Sequence, residues 1–176
     1  MSEYRPYILL PLCLLAGCAN IPDSYAPPIQ RKPLTGAEPS PIGTFVNLGE
    51  PSADAYIVRD ITGHAESSWR WTRKRPELRF FLDSVERLKF KADISIADVT
   101  LKETGPVTIS IFINGHRLDT VKYTSAGRKE FEKPVPPAFL LPKSVNLAAL
   151  EIDKVWVSKT DGAVLGFILT SAGFTE

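Results

Sequence analysis

The feature that most constrains the fold is a strict alternation of apolar and polar residues over residues 88–96. The apolar positions are Leu88, Phe90, Ala92, Ile94 and Ile96, and the polar positions between them are Lys89, Lys91, Asp93 and Ser95. Neighbouring side chains of a β-strand point to opposite faces. The pattern therefore predicts a strand with one face on a hydrophobic core and the other in water.

A second alternation, over residues 107–113, runs directly into Asn114–Gly115. Asn-Gly is the pair that best accepts positive φ at both central positions of a type I′ turn. Residues 116–123 are therefore predicted to return as the second strand of a hairpin. Simple pairing across a two-residue loop would put apolar residues of the returning strand on the wrong side, so we expect a bulge near Asp119–Thr120.

Shorter strand signals lie on both sides of these two. They cover residues 45–48, 55–58, 69–72, 78–82, 145–158 and 163–170, whereas helix signals are almost absent. Prolines at 134, 136, 137 and 142 indicate a long loop between sheets, because proline cannot donate to a central ladder. About eight to ten strands at regular spacing predict an all-β fold, an antiparallel β-sandwich or jelly roll, over residues 42–176.

The N-terminal residues carry an export signal. Residues 7–15 (YILLPLCLL) form an apolar run of nine, whereas a membrane-spanning helix needs about 20 such residues. The sequence Leu15-Ala16-Gly17-Cys18 then resembles the lipobox of bacterial lipoproteins. The resemblance implies that residues 1–17 are a signal peptide and that Cys18 carries a diacylglycerol anchor, usually with a further acyl chain such as palmitate. The alternative is a Cys18 buried in an apolar N-terminal helix.

Two consequences follow from this N-terminus. Ala19 after the lipidated cysteine favours sorting to the outer membrane, with the membrane face left open. Cys13 leaves with the signal peptide, so the mature chain has no thiol for a disulfide or a nucleophile. Residues 18–41 hold six prolines and few large apolar residues, which predicts an extended tether between the anchor and the body.

Composition excludes several classes of function. The formal net charge of +1 on 176 residues gives no basic field for nucleic acid. Two Cys and two His leave little material for a zinc site or a disulfide framework. No Asp-x-Asp-x-Asp-Gly loop and no phosphate-binding glycine loop occurs in the sequence. We therefore expect no metal and no cofactor.

Several short motifs resemble a galactose-binding-like β-sandwich of the kind attached to bacterial glycosyltransferases. They are residues 45–49 (FVNLG), 54–56 (DAY), 63–66 (GHAE), 70–72 (RWT), 105–108 (GPVT), 114–115 (NG) and 161–167 (DGAVLGF). The likeness covers most of residues 43–175 and concerns turns and core strands. It implies a jelly-roll fold, in a class of module that is often non-catalytic and sometimes binds sugars.

The candidate ligand site is the stretch that contains Trp69, Trp71, Arg73 and Arg75. On a strand both indoles project to one face, where they can stack on sugar rings while the arginines donate to hydroxyl or carboxylate oxygens. For Trp71 above all, packing in the core is the alternative that the burial tendency of tryptophan favours. Two alternatives for the basic residues are contact with anionic lipid heads and a solvated edge that discourages aggregation.

Catalytic constellations are weak. His64 and His116 are the only histidines, and no Gly-x-Ser-x-Gly element accompanies them, so neither is expected to be catalytic. A glycosidase needs two carboxylates roughly 5–10 Å apart. The sequence offers Glu66, Asp83, Asp119 and Asp161 without showing which of them converge, and Asp161 is better explained by its turn.

These observations give three functional hypotheses. The first is a membrane-anchored lipoprotein that presents a non-catalytic β-sandwich for recognition of carbohydrate or another envelope component. The second is a structural or assembly module that docks on another envelope protein. The third, with the least support, is an envelope glycan hydrolase.

Overall fold

A computed structural model describes residues 42–63 and 68–176 of the chain. These residues all belong to the compact unit that spans Ala37–Glu176. The predicted signal peptide, Cys18, the proline tether, His64 and Glu66 lie outside the described residues.

The described part of the chain consists mostly of strands. They are β1 (Phe45–Asn47), β2 (Ile57–Ile61), β3 (Arg70–Leu82), β4 (Lys89–Ile96), β5 (Val107–Ile113), β6 (His116–Tyr123), β7 (Gly127–Pro134), β8 (Ser144–Ile152), β9 (Trp156–Val157), β10 (Val164–Leu165) and β11 (Ile168–Thr175). One α-helix, α1 (Asp98–Thr104), and two 3₁₀ helices (Pro51–Ala55 and Pro137–Phe139) lie between them. None of these helices is long and apolar enough to cross a membrane.

The strands form an antiparallel β-sandwich, as predicted. The back sheet has the order β6-β5-β8-β3, with β2 on the other side of β3. The front sheet has the order β7-β4-β11, and both β1 and the first residues of β3 pair with the free side of β11. Strands β9 and β10 form a separate two-stranded hairpin.

Strand β3 belongs to both sheets. Arg70 and Trp71 pair with β11 in the front sheet, whereas residues 77–82 pair with β8 in the back sheet. Between these segments the register with β2 shifts. From the pair Arg59–Glu77 to the pair Ile61–Thr72, β2 advances by two residues and β3 by five. Pro76 lies in this irregular stretch, where a residue without an N–H interrupts no regular ladder. The extra residues let the strand bend from one sheet to the other.

The core lies between the two sheets and follows the predicted alternation. The inward side chains of β4 (Phe90, Ala92, Ile94 and Ile96) and of β5 (Val107, Ile109, Ile111 and Ile113) are buried. The ring of Phe174 on β11 joins the layers, since its centroid lies 5.5 Å from that of Phe80 and 5.4 Å from that of Phe90. Such edge contacts contribute about 1 kcal/mol each beyond the buried area.

The predicted hairpin and its bulge are both present. Asn114 and Gly115 have φ values of 48° and 83°, as a type I′ turn requires. Phe112 pairs with Arg117 but Ile111 pairs with Asp119, so Leu118 is the extra residue. The bulge therefore lies one residue before the expected position, and it places the later apolar residues of β6 opposite the inward residues of β5.

Several predicted element bounds are wrong. The two strands predicted at residues 69–72 and 78–82 are, apart from residue 69, parts of one strand, β3. The single strands predicted at residues 145–158 and 163–170 are each divided into two, β8 with β9 and β10 with β11. Residue 55 ends a 3₁₀ helix, so β2 begins only at residue 57. Helix α1 was not expected, because its sequence DVTLKET contains β-branched residues and has no side-chain cap. The proline-rich loop does connect the two sheets, from β7 to β8.

Candidate functional site

At the start of β3, neighbouring side chains point to opposite faces of the front sheet, and the candidate site lies there. Arg70 and Thr72 point inward and are 4% and 0% exposed, whereas Trp69 and Trp71 point outward and are half-buried. Trp71 is therefore not a core residue, contrary to the alternative that its size favoured. The parity of the strand is as predicted, but the polar residues take the inner face.

Hydrogen bonds explain why polar residues occupy that inner face. The Arg70 Nε–H donates to the carbonyl oxygen of Leu48 at 2.9 Å, and its Nη1 donates to the carboxylate of Asp54 at 2.6 Å. The Thr72 hydroxyl donates to the carbonyl oxygen of Phe167 at 2.8 Å and accepts the Phe167 N–H at 3.1 Å. Each buried polar group is paired, so its burial carries no penalty for a lost partner. This anchoring orients the two indoles toward solvent.

The two indoles contact each other edge to face. Their ring centroids are 6.2 Å apart and their planes make an angle of 86°. This is a preferred arrangement of aromatic pairs and holds both rings in place. Because the planes are perpendicular, the pair presents an indole face next to an indole edge. The result is a preformed aromatic corner on the outer face of the front sheet.

The strand register extends this corner across the sheet. Trp71 on β3 pairs with Ile168 on β11, which pairs with Ser95 on β4, which pairs with Arg128 on β7. Directly paired residues of antiparallel strands project to the same face. These four side chains therefore form one row, and we call the outer surface that contains this row and the next one the front face.

The adjacent row of the front face is polar. It contains Asn47 on β1, Ser171 on β11, Asp93 on β4 and Glu130 on β7. A bulge at position 170 of β11 brings Ser171 onto this face. The aromatic corner is thus continuous with a surface of hydroxyl, amide and carboxylate groups.

An ion-pair cluster occupies the β7 side of the front face. Arg128 donates from Nε to one oxygen of Asp93 at 2.9 Å and from Nη2 to the other at 2.5 Å, and Nη2 also lies 3.2 Å from Glu130. The hydrogen bond to Asp93 raises the pKa of the Arg128 guanidinium above its usual value. A bidentate pair of this kind fixes the geometry of both side chains. Asp93 is buried, but the Arg128 side chain remains 70% exposed.

The structure separates the two arginines that the sequence grouped with the indoles. The side chain of Arg73 is exposed near the bend of β3. Arg75 lies within the bend, and its side chain reaches the outer face of the back sheet. Its guanidinium carbon sits 4.7 Å from the ring centroid of Phe112, and the group forms an ion pair with Glu151. Arg75 is therefore not brought together with the indoles.

The described histidine and carboxylate candidates lie apart from the front face. His116 stacks on the ring of Phe139, with centroids 4.8 Å apart. Asp119 on β6 forms an ion pair with Lys133 at 2.7 Å, Asp83 lies after β3, and Asp161 accepts the backbone N–H of residue 163 in the β9–β10 turn. Each carboxylate belongs to a different element. Within residues 42–63 and 68–176, no three His, Cys, Asp or Glu side chains converge to hold a metal ion.

Two surface depressions were not anticipated, and neither is lined by a front-face residue. One, of about 510 Å³, lies at the β6 bulge and is lined by residues 117–120. The other, of about 530 Å³, is lined by Ser84, Glu86, Arg87 and Glu176. Both are open and lined mostly by polar residues, unlike the enclosed apolar pockets that bind small molecules.

Sequence reasoning missed the β4–β7 half of the front face. The polar positions of the 88–96 alternation marked Asp93 and Ser95 as outward. Residues 127–134 (GRKEFEKP) also alternate, with Phe131 inward and Arg128 and Glu130 outward, so a search for period two would have found β7. Only the register between strands shows that these residues share a face with Trp71.

Comparison with known proteins gives similarity of structure alone. No protein-family model matches the chain, and no curated protein matches it. Among solved structures it is similar to a family 35 carbohydrate-binding module from Clostridium thermocellum (10% identity, TM-score 0.45, 76% of this chain and 99% of that one). A family 35 module from Paenibacillus barcinonensis is similar too (12% identity, TM-score 0.41, 76% and 99%).

An enzyme is also among the similar structures. The chain is similar to part of BtGH115A, a 4-O-methyl-α-glucuronidase with specificity for decorated arabinogalactans (13% identity, TM-score 0.44). The match covers 83% of this chain and only 19% of the glucuronidase. The fold class, an antiparallel β-sandwich, is defined by the strand order of the chain itself. Its function has to be argued from its own surface residues.

Proposed function

We propose that this chain is a lipid-anchored lipoprotein whose β-sandwich recognises carbohydrate without catalysis, through the front face. The observation that carries the proposal is the aromatic corner of Trp69 and Trp71, held on an open sheet face and continuous with polar groups. A pyranose ring has apolar C–H faces and hydroxyl edges. Indole faces pack against the former, while charged and amide groups hydrogen-bond the latter.

The front face suits binding better than glycoside hydrolysis. A glycosidase uses one carboxyl group as an acid and a second, separate one as a base or nucleophile. Two of the front-face carboxylates, Asp93 and Glu130, both contact the same cation, Arg128, and the third, Glu132, is paired with Lys89 and Lys91. Of the first two, only the Glu130 side chain is well exposed, at 61%, and it offers a ligand a hydrogen-bond acceptor held near Arg128.

The proposed anchor rests on residues outside the described part of the chain. The motif at residues 15–18 supports lipidation of Cys18, and the six prolines that follow support a spacer between the anchor and the body. Metabolic labelling with palmitate tests this. Label should be lost in Cys18→Ala and kept in Cys13→Ala, and retention of label in Cys18→Ala would refute the anchor. Fractionation of the labelled cells then tests the outer-membrane location.

A glycan array tests carbohydrate recognition. The full-length chain, purified with its anchor in detergent, should bind at least one glycan, and Trp71→Ala should abolish that binding. Phe81→Ala is the matched control, because Phe81 is an exposed aromatic on the outer face of the back sheet. Absence of binding to every glycan, or equal loss in both variants, would contradict the proposal.

One observation favours the assembly hypothesis as a second candidate. Phe81 and Val145 pair directly on the back sheet and are 37% and 43% exposed. An exposed apolar pair of this kind is a common centre of protein interfaces. If crosslinking in cells captures one specific envelope protein, and Phe81→Ala rather than Trp71→Ala removes it, the assembly role replaces carbohydrate recognition.

A further inference from the structure

The front-face row crosses four adjacent strands. Trp71, Ile168, Ser95 and Arg128 occupy β3, β11, β4 and β7. Adjacent strands are spaced about 4.8 Å apart, so the row extends over about 14 Å between its first and last strands. A single sugar ring is roughly as long as one strand spacing, and the row therefore offers room for about three rings.

The side chains in the middle of the row, Ile168 and Ser95, are shorter than the indole and the guanidinium at its two ends. Ser95 and, in the adjacent row, Ser171 have short side chains, whereas an indole stands at one end and a long guanidinium at the other. Within the described residues, neither serine hydroxyl has a hydrogen-bond partner. A hydroxyl can both donate and accept, as sugar hydroxyls do. The centre of the face thus combines one apolar side chain, Ile168, with two serine hydroxyls, between an indole and a guanidinium.

The charges that β4 and β7 contribute to the front face balance. Its outward side chains on β4 and β7 include three cations, Lys89, Lys91 and Arg128, and three carboxylates, Asp93, Glu130 and Glu132. Glu132 lies 3.2 Å from Lys89 and 3.9 Å from Lys91, and Arg128 contacts the other two carboxylates. A surface with this balance exerts no net attraction on a polyanion. It does offer neutral hydroxyl groups both charged donors and charged acceptors.

From these three observations we infer that the front face binds a neutral glycan chain of at least about three units, lying across the strands from the aromatic corner to Arg128. The inference rests on the proposed function and adds the class of ligand and its direction. One ring packs on the corner, the next lie over Ser95 and Ser171, and the last reaches the exposed donors of Arg128. The affinity should therefore depend on chain length.

Titration with neutral oligosaccharide ladders tests the inference on the full-length chain in detergent. The probes are oligomers, from one to six units, of β-1,4-linked glucose, xylose, mannose and N-acetylglucosamine and of β-1,3-linked glucose. For at least one ladder, the affinity should rise about tenfold or more up to about three units and then level off. High salt should change it little, because neutral ligands displace no counterions.

A blocking variant tests the path of the chain. Ser95→Phe fills the centre of the face without replacing Asp93 or Arg128, so it should remove the gain with chain length and leave the weak binding of the shortest ligands. Ser110→Phe is the matched control, because Ser110 is an outward serine on β5 of the back sheet. Circular dichroism of both variants checks whether the fold is retained.

The outcomes separate this inference from the proposed function. If a monosaccharide binds as tightly as its hexamer and Trp71→Ala removes both, the proposed function holds and the extended site is refuted. If only anionic glycans bind, or if salt weakens binding strongly, the neutral class is refuted. If no glycan of either kind binds, both proposals fall.

Discussion

Thr72 fixes the orientation of the aromatic corner from inside the sandwich, and its hydroxyl can be removed without changing its shape. Thr72→Val keeps both branches of the side chain and favours a strand. It removes the group that accepts the Phe167 N–H at 3.1 Å and donates to the Phe167 carbonyl at 2.8 Å. After the substitution, the Phe167 carbonyl still accepts the backbone N–H of Thr72, at 2.8 Å. The Phe167 N–H, however, loses the acceptor that the structure shows.

The expected cost follows from burial. Both residues are 0% exposed, so water does not replace the missing acceptor. A buried unpaired N–H costs about 1–3 kcal/mol, and we expect Thr72→Val to lower the free energy of unfolding by about 2 kcal/mol. Thr72→Ser is the matched control. It keeps the hydroxyl and loses one buried methyl group, which costs about 1 kcal/mol.

Urea unfolding measures the difference. The midpoint should fall further in Thr72→Val than in Thr72→Ser, with an unchanged slope in both. The valine variant should also bind glycan more weakly, since Trp71 is the next residue along the strand. A valine variant as stable as the serine variant, or more stable, would show that the hydroxyl does not hold the start of β3.

Three further predictions concern other parts of the body. Gly166→Ala should be strongly destabilising, because a Cβ there would lie 2.4 Å from a backbone carbonyl oxygen of β3, whereas Gly63→Ala, which meets nothing within 4 Å, should be nearly neutral in the same urea assay. Asn146→Ala should lower the free energy of unfolding by at least about 2 kcal/mol, because this fully buried amide bonds both strand and loop backbone; retention of the wild-type midpoint would contradict this. The hydrogen bond from Lys133 holds the pKa of the Asp119 carboxyl below its ordinary value, so this contact stabilises the fold above about pH 4 and is lost as pH falls through the lowered pKa. Asp119→Asn should thus be less stable than wild type at neutral pH and equal to it in acid, and a difference that persists in acid would refute the assignment.

Local patterns predicted the parts of the fold that depend on local physics. The alternations at residues 88–96 and 107–113 and the turn at Asn114–Gly115 are all present, because the side-chain period and the φ preference of a dipeptide do not depend on distant residues. The bends and breaks of longer strands were missed. Whether β3 continues through Pro76 depends on which strands lie beside it, and the sequence does not show that.

The candidate site was predicted in part for the same reason. That Trp69 and Trp71 share one face follows from the period of a strand. Which face is inside was decided by Arg70 and Thr72, through hydrogen bonds to residues up to 95 positions away. The contribution of Arg128 likewise depends on register across three strand pairs. Residue type alone would have placed the tryptophan inside and the arginine outside.

Because β3 belongs to both sheets, it also affects how the β-sandwich unfolds. Its first residues pair with β11 and its last with β8, so neither sheet can lose this strand without also disturbing the pairing of the other. Two sheets that share one strand should unfold together in a single all-or-none transition. Backbone amide protons on both sides of the bend should then exchange at the same slow rate.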